Sequence, residues 1–213
     1  MVKILNAHKT EYQKDPDTEE ELVVLSGNVS ITVANSGKNT TIIADYMTYN
    51  RKTNMLYAQG HVNLVQTGGS DGVQTMTAET LLFNTSTLEG VFDNARIVQV
   101  GGDSISATPD STLVVSSKLM GKSEGGTMTF NHAAVAFCDD EDPHWKIRAS
   151  KVWLLPGGEF AFLNAVLYVG HIPLLYLPAF YYPKDELIFN PVIGYDSRKG
   201  YYLQTTTYLW GRK

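Results

Sequence analysis

Thr41-Ile-Ile-Ala44-Asp45-Tyr-Met-Thr-Tyr49-Asn50 and Thr75-Met-Thr-Ala78-Glu79-Thr-Leu-Leu-Phe83-Asn84 are one pattern written twice, 34 residues apart. Met47 and Tyr49 alternate with Tyr46 and Thr48, and Leu81 and Phe83 with Thr80 and Leu82. A period of two puts one set of side chains on each face of a strand. A weaker echo is Lys146-Ile-Arg-Ala149-Ser-Lys-Val152. A second element recurs in Leu25-Ser-Gly27-Asn-Val29, Ala58-Gln-Gly60-His-Val62 and Leu88-Glu-Gly90-Val-Phe92, with glycines 33 and 30 residues apart. The unit is strand, Asn-centred turn, strand with glycine, strand. Repeats of that length mark stacked architectures.

Working outward, Val29, Ile31 and Val33 share one face against Asn28, Ser30 and Thr32, and Val62 and Leu64 do so against His61 and Asn63. Turns are signalled at 50–54, 68–72, 84–87, 101–103 and 121–126. No helical period of useful length appears. The expectation is an all-β fold whose strands bury one face, stacked as two facing sheets. Val2–Tyr12 reads as a first strand and a free edge, open to strand addition. An acidic turn at 14–21 and the strand Leu22–Val33 follow.

Residues 145–183 are the most apolar and aromatic part, with Pro173, Pro178 and Pro183 five residues apart. Each proline removes a backbone donor, so this stretch suits sheet edges and corners. Residues 187–196, a turn at 197–200 and residues 201–210 read as a hairpin with aromatics near both ends. Such a hairpin is the start of an outer-membrane barrel or an ordinary terminal hairpin; the residues leave both open.

The 213 residues are 43% apolar, 18% charged and 11% aromatic, with net charge −5. The acidic balance and the lack of a basic stripe argue against nucleic acid. No apolar run is long enough for a membrane helix. No leader is visible before the strand-like Val2-Lys-Ile-Leu5, as expected of a cytoplasmic protein or a mature fragment. Cys138 is the single cysteine and reads as a small buried hydrophobe. None of the five histidines stands at metal-ligand spacing, and Asp139–Asp142 lacks a calcium-loop frame. Asn39-Thr-Thr41 and Asn84-Thr-Ser86 match a glycosylation acceptor but read as turns. No nucleophile elbow, phosphate loop or dinucleotide fingerprint occurs. No enzyme, cofactor or metal is expected. What remains is binding by an apolar interior, for which the alternative is a plain packed core.

The Ala-(Asp/Glu)-x-apolar-x-(Tyr/Phe)-Asn element followed by Gly-x-Val resembles the repeat of the OstA/LptA-like lipopolysaccharide-transport family. The sharper match is Cys138…Pro143-His-Trp145-Lys-Ile-Arg-Ala149…Asn164-Ala165…Ile172-Pro173…Tyr176-x-Pro178-x-Phe180…Pro183. It is similar to the junction between periplasmic domain and barrel in the LptD family of LPS-assembly proteins. Pro191-x-x-Gly-Tyr195…Gly200-Tyr201…Tyr208-x-Trp210 resembles that family's first barrel strands.

The resemblance implies a V-shaped β-jellyroll over residues 1–184 and the start of a barrel over 185–213. It implies a non-enzymatic conduit at the periplasmic face of the outer membrane, carrying the acyl chains of lipopolysaccharide or another glycolipid. Lining it would be Val29, Ile31, Val33, Met47, Tyr49, Val62, Leu64, Leu81 and Phe83. The junction would comprise Trp145, Ile147, Pro173, Tyr176, Pro178, Phe180 and Pro191. Pro191 matches one of the family's two seam prolines; Thr207 stands where the second is expected. Cys138 matches one of two periplasmic cysteines and is implied to bond to the barrel. Implied partners are an LptA-like bridge protein at the N-terminal edge and an LptE-like lipoprotein on the barrel. The rival readings are a periplasmic bridge protein, a structural or adhesive β-repeat with a solid core, and a β-helical carbohydrate enzyme, the last disfavoured by the missing carboxylate constellation.

Overall fold

The computed structural model describes residues 2–14, 20–35, 37–68, 73–100, 112–136, 143–156, 158–182, 190–196 and 200–206. Fourteen strands and no helix occur among them. In chain order they are β1 (Val2–Asn6), β2 (Lys9–Lys14), β3 (Glu21–Asn35), β4 (Lys38–Asn50), β5 (Met55–Thr67), β6 (Val73–Asn84) and β7 (Gly90–Val100). Then come β8 (Thr112–Lys122), β9 (Met128–Ala136), β10 (Trp145–Leu155), β11 (Glu159–Val169), β12 (Ile172–Tyr182), β13 (Asn190–Asp196) and β14 (Gly200–Thr206). The first twelve form one antiparallel sheet in sequence order, with β1 and β2 both laid along β3. β13 and β14 pair separately, from Asn190↔Thr206 to Asp196↔Gly200.

The repeated asparagine explains the repeated turn. Asn50 Oδ1 accepts from the backbone N–H of Lys52 (3.0 Å) and Thr53 (3.1 Å). Asn84 Oδ1 does the same for Ser86 (2.9 Å) and Thr87 (3.2 Å). A short side chain that satisfies its own turn closes each hairpin. The two turns stack through Thr85 N–H donating to Asn54 O at 2.9 Å.

One line across the strands gives the sheet its shape. In β4 the buried positions run Thr40, Ile42, Ala44 and then Met47, a step of three instead of two. The same step separates Phe92 from Ala95, Ser117 from Met120, Phe130 from Ala133, Ala149 from Val152 and Phe162 from Ala165. At each break two consecutive residues point outward. The breaks lie beside one another: Asp93↔Leu119, Leu119↔Asn131 and Lys151↔Asn131 mark one flank, Ala95↔Ser117 and Ser117↔Ala133 the other. Asn28, His61, Asn94, His132 and Asn164 sit on this line with φ between 45° and 51°. Asn and His tolerate that left-handed region better than most residues. In β3 and β5 the pairs Gly27-Asn28 and Gly60-His61 form bulges, where the registers shift. Bulges and left-handed residues bend strands while the ladder continues on both sides.

The sheet therefore folds along this crease into two wings. From β6 to β11 small side chains fill it, Ala78, Ala95, Ser117, Ala133, Ala149 and Ala165, and Val29, Ala44 and Val62 continue the row across β3 to β5. The two facing sheets expected from the sequence are thus two halves of one hydrogen-bonded jellyroll sheet. Gly90 also departs from expectation. It has no positive φ; it opens β7 beside Phe83, whose ring would lie 2.9 Å from an added Cβ. The crease residue of β7 is Asn94. The expected single strand Val2–Tyr12 is β1 plus β2, interrupted where His8 N–H donates to Ser26 O and Gly27 O, across the β3 bulge.

Candidate functional site

The inward side chains of both wings form one apolar cluster from β3 to β11. Val29, Ile31, Val33, Met47, Val62, Leu64, Leu81 and Phe83 all belong to it and are at most 3% exposed. Tyr49 packs against the cluster, half-buried, its hydroxyl donating to Asn54 Oδ1 at 3.1 Å. The structure thus brings the expected lining together. The wings are closed on it: the space between Leu64 and Met76 of one wing and Phe83 and Phe92 of the other does not admit a water molecule.

Two parts of this interior are not apparent in the sequence. The first is its second half, built by Phe92, Ile97, Val115, Met120, Phe130, Val152, Phe160 and Phe162. Their alternation slips phase at the crease, so the period of two runs only in short stretches on either side of it. The second is a polar rim. Thr40, Gln66, Gln74 and Gln99 point inward at one wing's outer end and are buried. Gln74 Nε2 donates to Gln99 Oε1 at 3.3 Å. Lys122, at the outer end of the opposite wing on β8, donates through Nζ to Gln66 Oε1 at 3.2 Å. Glutamines in a strand read as a solvent face, which hides such a rim from sequence.

The sheet ends in two edges. At the N-terminal one, β1 and β2 pair with β3 on one side and with no other described strand. Ile4 and Tyr12 (75%) are exposed along it. β12 is the other edge, as its prolines suggested. Pro178 falls at the crease, where the β11 ladder breaks between Leu163↔Ala179 and Ala165↔Leu177, and Pro173 stands at the register slip beside Tyr168. β12 exposes Ile172 (66%), Leu174, Tyr176 (57%) and Tyr181. A hydrogen bond to Glu159 raises the Tyr181 hydroxyl pKa above its ordinary value.

The expected junction residues do not form a single cluster. Ile147 and Phe180 face the interior, with the Phe180 ring 5.9 Å from Phe162. Trp145, Pro173, Tyr176 and Pro178 are exposed. Tyr176 hydroxyl donates to Asn164 Oδ1 at 2.9 Å, Asn164 Nδ2 to Ser150 Oγ at 3.2 Å, and Ser150 Oγ to Leu163 O at 2.9 Å. This chain ties the edge to the crease. Pro191 lies opposite Thr205 in β13–β14. Cys138, Pro183 and Thr207 lie outside the described residues.

Other polar features are peripheral. Along the crease runs an open groove of about 670 Å³ bordered by Arg96, Lys118, His132 and Arg148. Arg148 sits 5.4 Å from the Tyr168 ring centre. On the acidic part of the crease His61 Nδ1 lies 2.7 Å from Asp45 Oδ2. That hydrogen bond, then the carboxylate's charge, raises the imidazole pKa above its ordinary value. Among the described residues no group of His, Cys, Asp and Glu is placed to hold a metal.

A creased antiparallel sheet, closed on an apolar interior and unpaired at both ends, defines a β-jellyroll. No family model matches the chain. The chain is similar to the LPS-assembly protein LptD of Acinetobacter baumannii, at 27% identity over 192 residues, 87% of this chain and 21% of that protein. It is similar to LptD of Xanthomonas oryzae pv. oryzae at 34% identity over 88 residues, 38% of this chain and 11% of that protein. LptD of Xanthomonas campestris pv. campestris is 33% identical over 88 residues, with the same shares. The chain spans about a fifth of the first relative's length and about a tenth of the others'. The proteins that the junction residues resemble are thus among those to which the chain is similar.

Proposed function

We propose that this chain is the periplasmic lipid conduit of an outer-membrane lipopolysaccharide or glycolipid assembly machine. The observation that carries the proposal is an apolar interior unbroken from β3 to β11, between two strand edges. Acyl chains would travel between the wings, because burying them there removes apolar surface from water. The similarity to proteins named for LPS assembly supports this reading, and those names describe an assembly protein, not an enzyme. Residues 1–184 act as the jellyroll and 185–213 as the first strands of a barrel in the outer membrane. The N-terminal edge accepts a strand of an LptA-like bridge protein. The apolar β12 edge faces the barrel, where an LptE-like lipoprotein would sit, and Cys138 bonds to a cysteine of that barrel.

A second reading is a solid core, favoured by the closure of the wings: Met47 and Ile42 are 0% exposed. The conduit requires the wings to part when lipid enters. A photoreactive residue at Met47 or Phe83, in cells actively assembling their outer membrane, separates the two. Adducts with glycolipid at both positions are expected of the conduit; their absence while transport runs leaves the solid core.

A further inference from the structure

The groove along the crease takes no part in the proposed conduit, yet its charge is not explained by the fold. Two rows of side chains border it from β7 to β11. One row runs in register as Arg96↔Ser116, Ser116↔Ala134 and Ala134↔Arg148. The other holds Asn94, Lys118, His132, Ser150 and Asn164. Between the rows stand only Ala95, Ser117, Ala133 and Ala149, which leave about 670 Å³ open. The backbone accounts for Asn94, His132 and Asn164, whose φ is positive. It does not account for Arg96, Lys118 and Arg148. No Asp or Glu lines the groove beside these three cations. The crease carries its acids elsewhere: Asp45 and Glu79 on β4 and β6, and Asp93 on the other flank, opposite Leu119. In a chain of net charge −5, cations segregated into one open cleft make a local positive field. Among the described residues Lys118 has no ion-pair partner. Arg148 rests on the Tyr168 ring at 5.4 Å, and a stacked guanidinium keeps its N–H edges for a ligand.

We propose that this groove binds an acidic glycan, a sugar chain bearing carboxylate or phosphate groups, laid across strands β7 to β10. The cations do not converge on one point. Arg96 and Arg148 are three strands apart, about 14 Å at the usual spacing of about 4.8 Å. A single phosphate ion meets one or two of them, whereas a chain of anions meets all three. The step of the ladder also selects the ligand. One strand spacing is close to the length of one sugar residue, so successive sugars fall beside successive strands. An extended peptide repeats its same-face side chains about every 6.7 Å, out of step with the strands. Guanidinium groups take a carboxylate or phosphate in a two-pronged pair. Ser116, opposite Arg96, and Asn94 supply hydrogen-bonding groups for hydroxyls. This glycan is not the polar part of a lipid held between the wings. Such a lipid presents its polar part at the mouth, where Lys122 meets Gln66 at the wings' outer ends, while the groove follows the crease in mid-strand. The inference therefore stands with a conduit or with a solid core.

The test uses the whole chain and four probes: tetragalacturonate, neutral maltotetraose, octaglutamate and inorganic phosphate. Affinities are measured by calorimetry at about 0.15 M salt, where weak long-range attraction is screened. Tetragalacturonate is expected to bind the unsubstituted chain about tenfold tighter than maltotetraose, the scale of two or three exposed ion pairs. Lys118→Gln and Arg148→Gln should each weaken tetragalacturonate about fivefold and leave maltotetraose unchanged. Lys151→Gln removes the same charge on the other flank, opposite Asn131, and should change the affinity by less than about twofold. Equal affinity for tetragalacturonate and maltotetraose, or no binding of either, overturns the inference, and that comparison stands even if a variant does not fold. Octaglutamate binding as tightly as tetragalacturonate overturns it in favour of an acidic peptide. Displacement of tetragalacturonate by equimolar inorganic phosphate overturns it too, since the groove is then a simple anion site. An equal loss in Lys151→Gln and Lys118→Gln reduces the groove to the general charge of its face and likewise overturns it.

Discussion

Asn94 carries a bend with one residue. Its φ of 48° is a conformation in which most side chains crowd the following carbonyl. Val at this position is β-branched and suits it worst. Asn94→Val is therefore expected to cost about 1–2 kcal/mol, while Asn94→Gly stays within a few tenths. Urea unfolding midpoints of the two variants check this; equal losses contradict a left-handed role. His61 makes a pH-dependent contribution. Its folded-state pKa is raised above 6.5 by Asp45, so the stabilisation is complete below the unfolded value and is lost as pH rises through the higher, folded one. The unsubstituted chain should melt above His61→Gln at pH 5, and the gap should close toward pH 8. A gap that grows with pH contradicts the pairing.

At the scale of elements the crease is the organising device. From β6 to β11 its inner side holds only Ala and Ser, so Ala133→Leu should cost about 1–3 kcal/mol by overpacking. Ser117 lies in the same row, and its buried Oγ has no hydrogen-bond partner among the described residues. Ser117→Ala removes an unsatisfied hydroxyl and should stabilise by about 1 kcal/mol. Thermal unfolding of both variants decides whether the row is packed as described. The crease also limits what the sequence reveals. Strands β3 and β5 were legible because Gly27 and Gly60 flag the bulges, and β4 and β6 because residues 41–50 and 75–84 repeat one pattern, although β4 also slips phase at the crease. In β7 to β11 the bend is made by Asn94, His132 and Asn164 without a bulge glycine, so the alternation simply changes phase. Gly90 imitates the earlier glycines in sequence but not in structure, because it packs against Phe83 at a strand's start. The β12 edge was legible, since Pro173 and Pro178 remove donors that a central strand would need.

At the scale of the molecule, consecutive strands from β2 to β12 pair with one another and β1 also lies along β3, so the large sheet is a stack with two ends. A stack can grow by accepting another strand at either end, which suits a link in a longer apolar path. Its interior was legible as an apolar face but not as a closed one: alternation sets which side chains point inward, not how near the wings lie. The polar rim was illegible for a related reason, because only the fold places Lys122 opposite Gln66. If acyl chains pass between the wings, the wings must separate. Gln66→Cys with Lys122→Cys, in the full-length protein with Cys138 left in its bond to the barrel, allows the mouth to be bridged by a short bis-maleimide. The measurement is glycolipid delivery to the outer leaflet before and after bridging. Delivery that falls to background on bridging, with either single-cysteine variant unaffected by the reagent, is the predicted result; unchanged delivery through a bridged mouth would contradict the conduit.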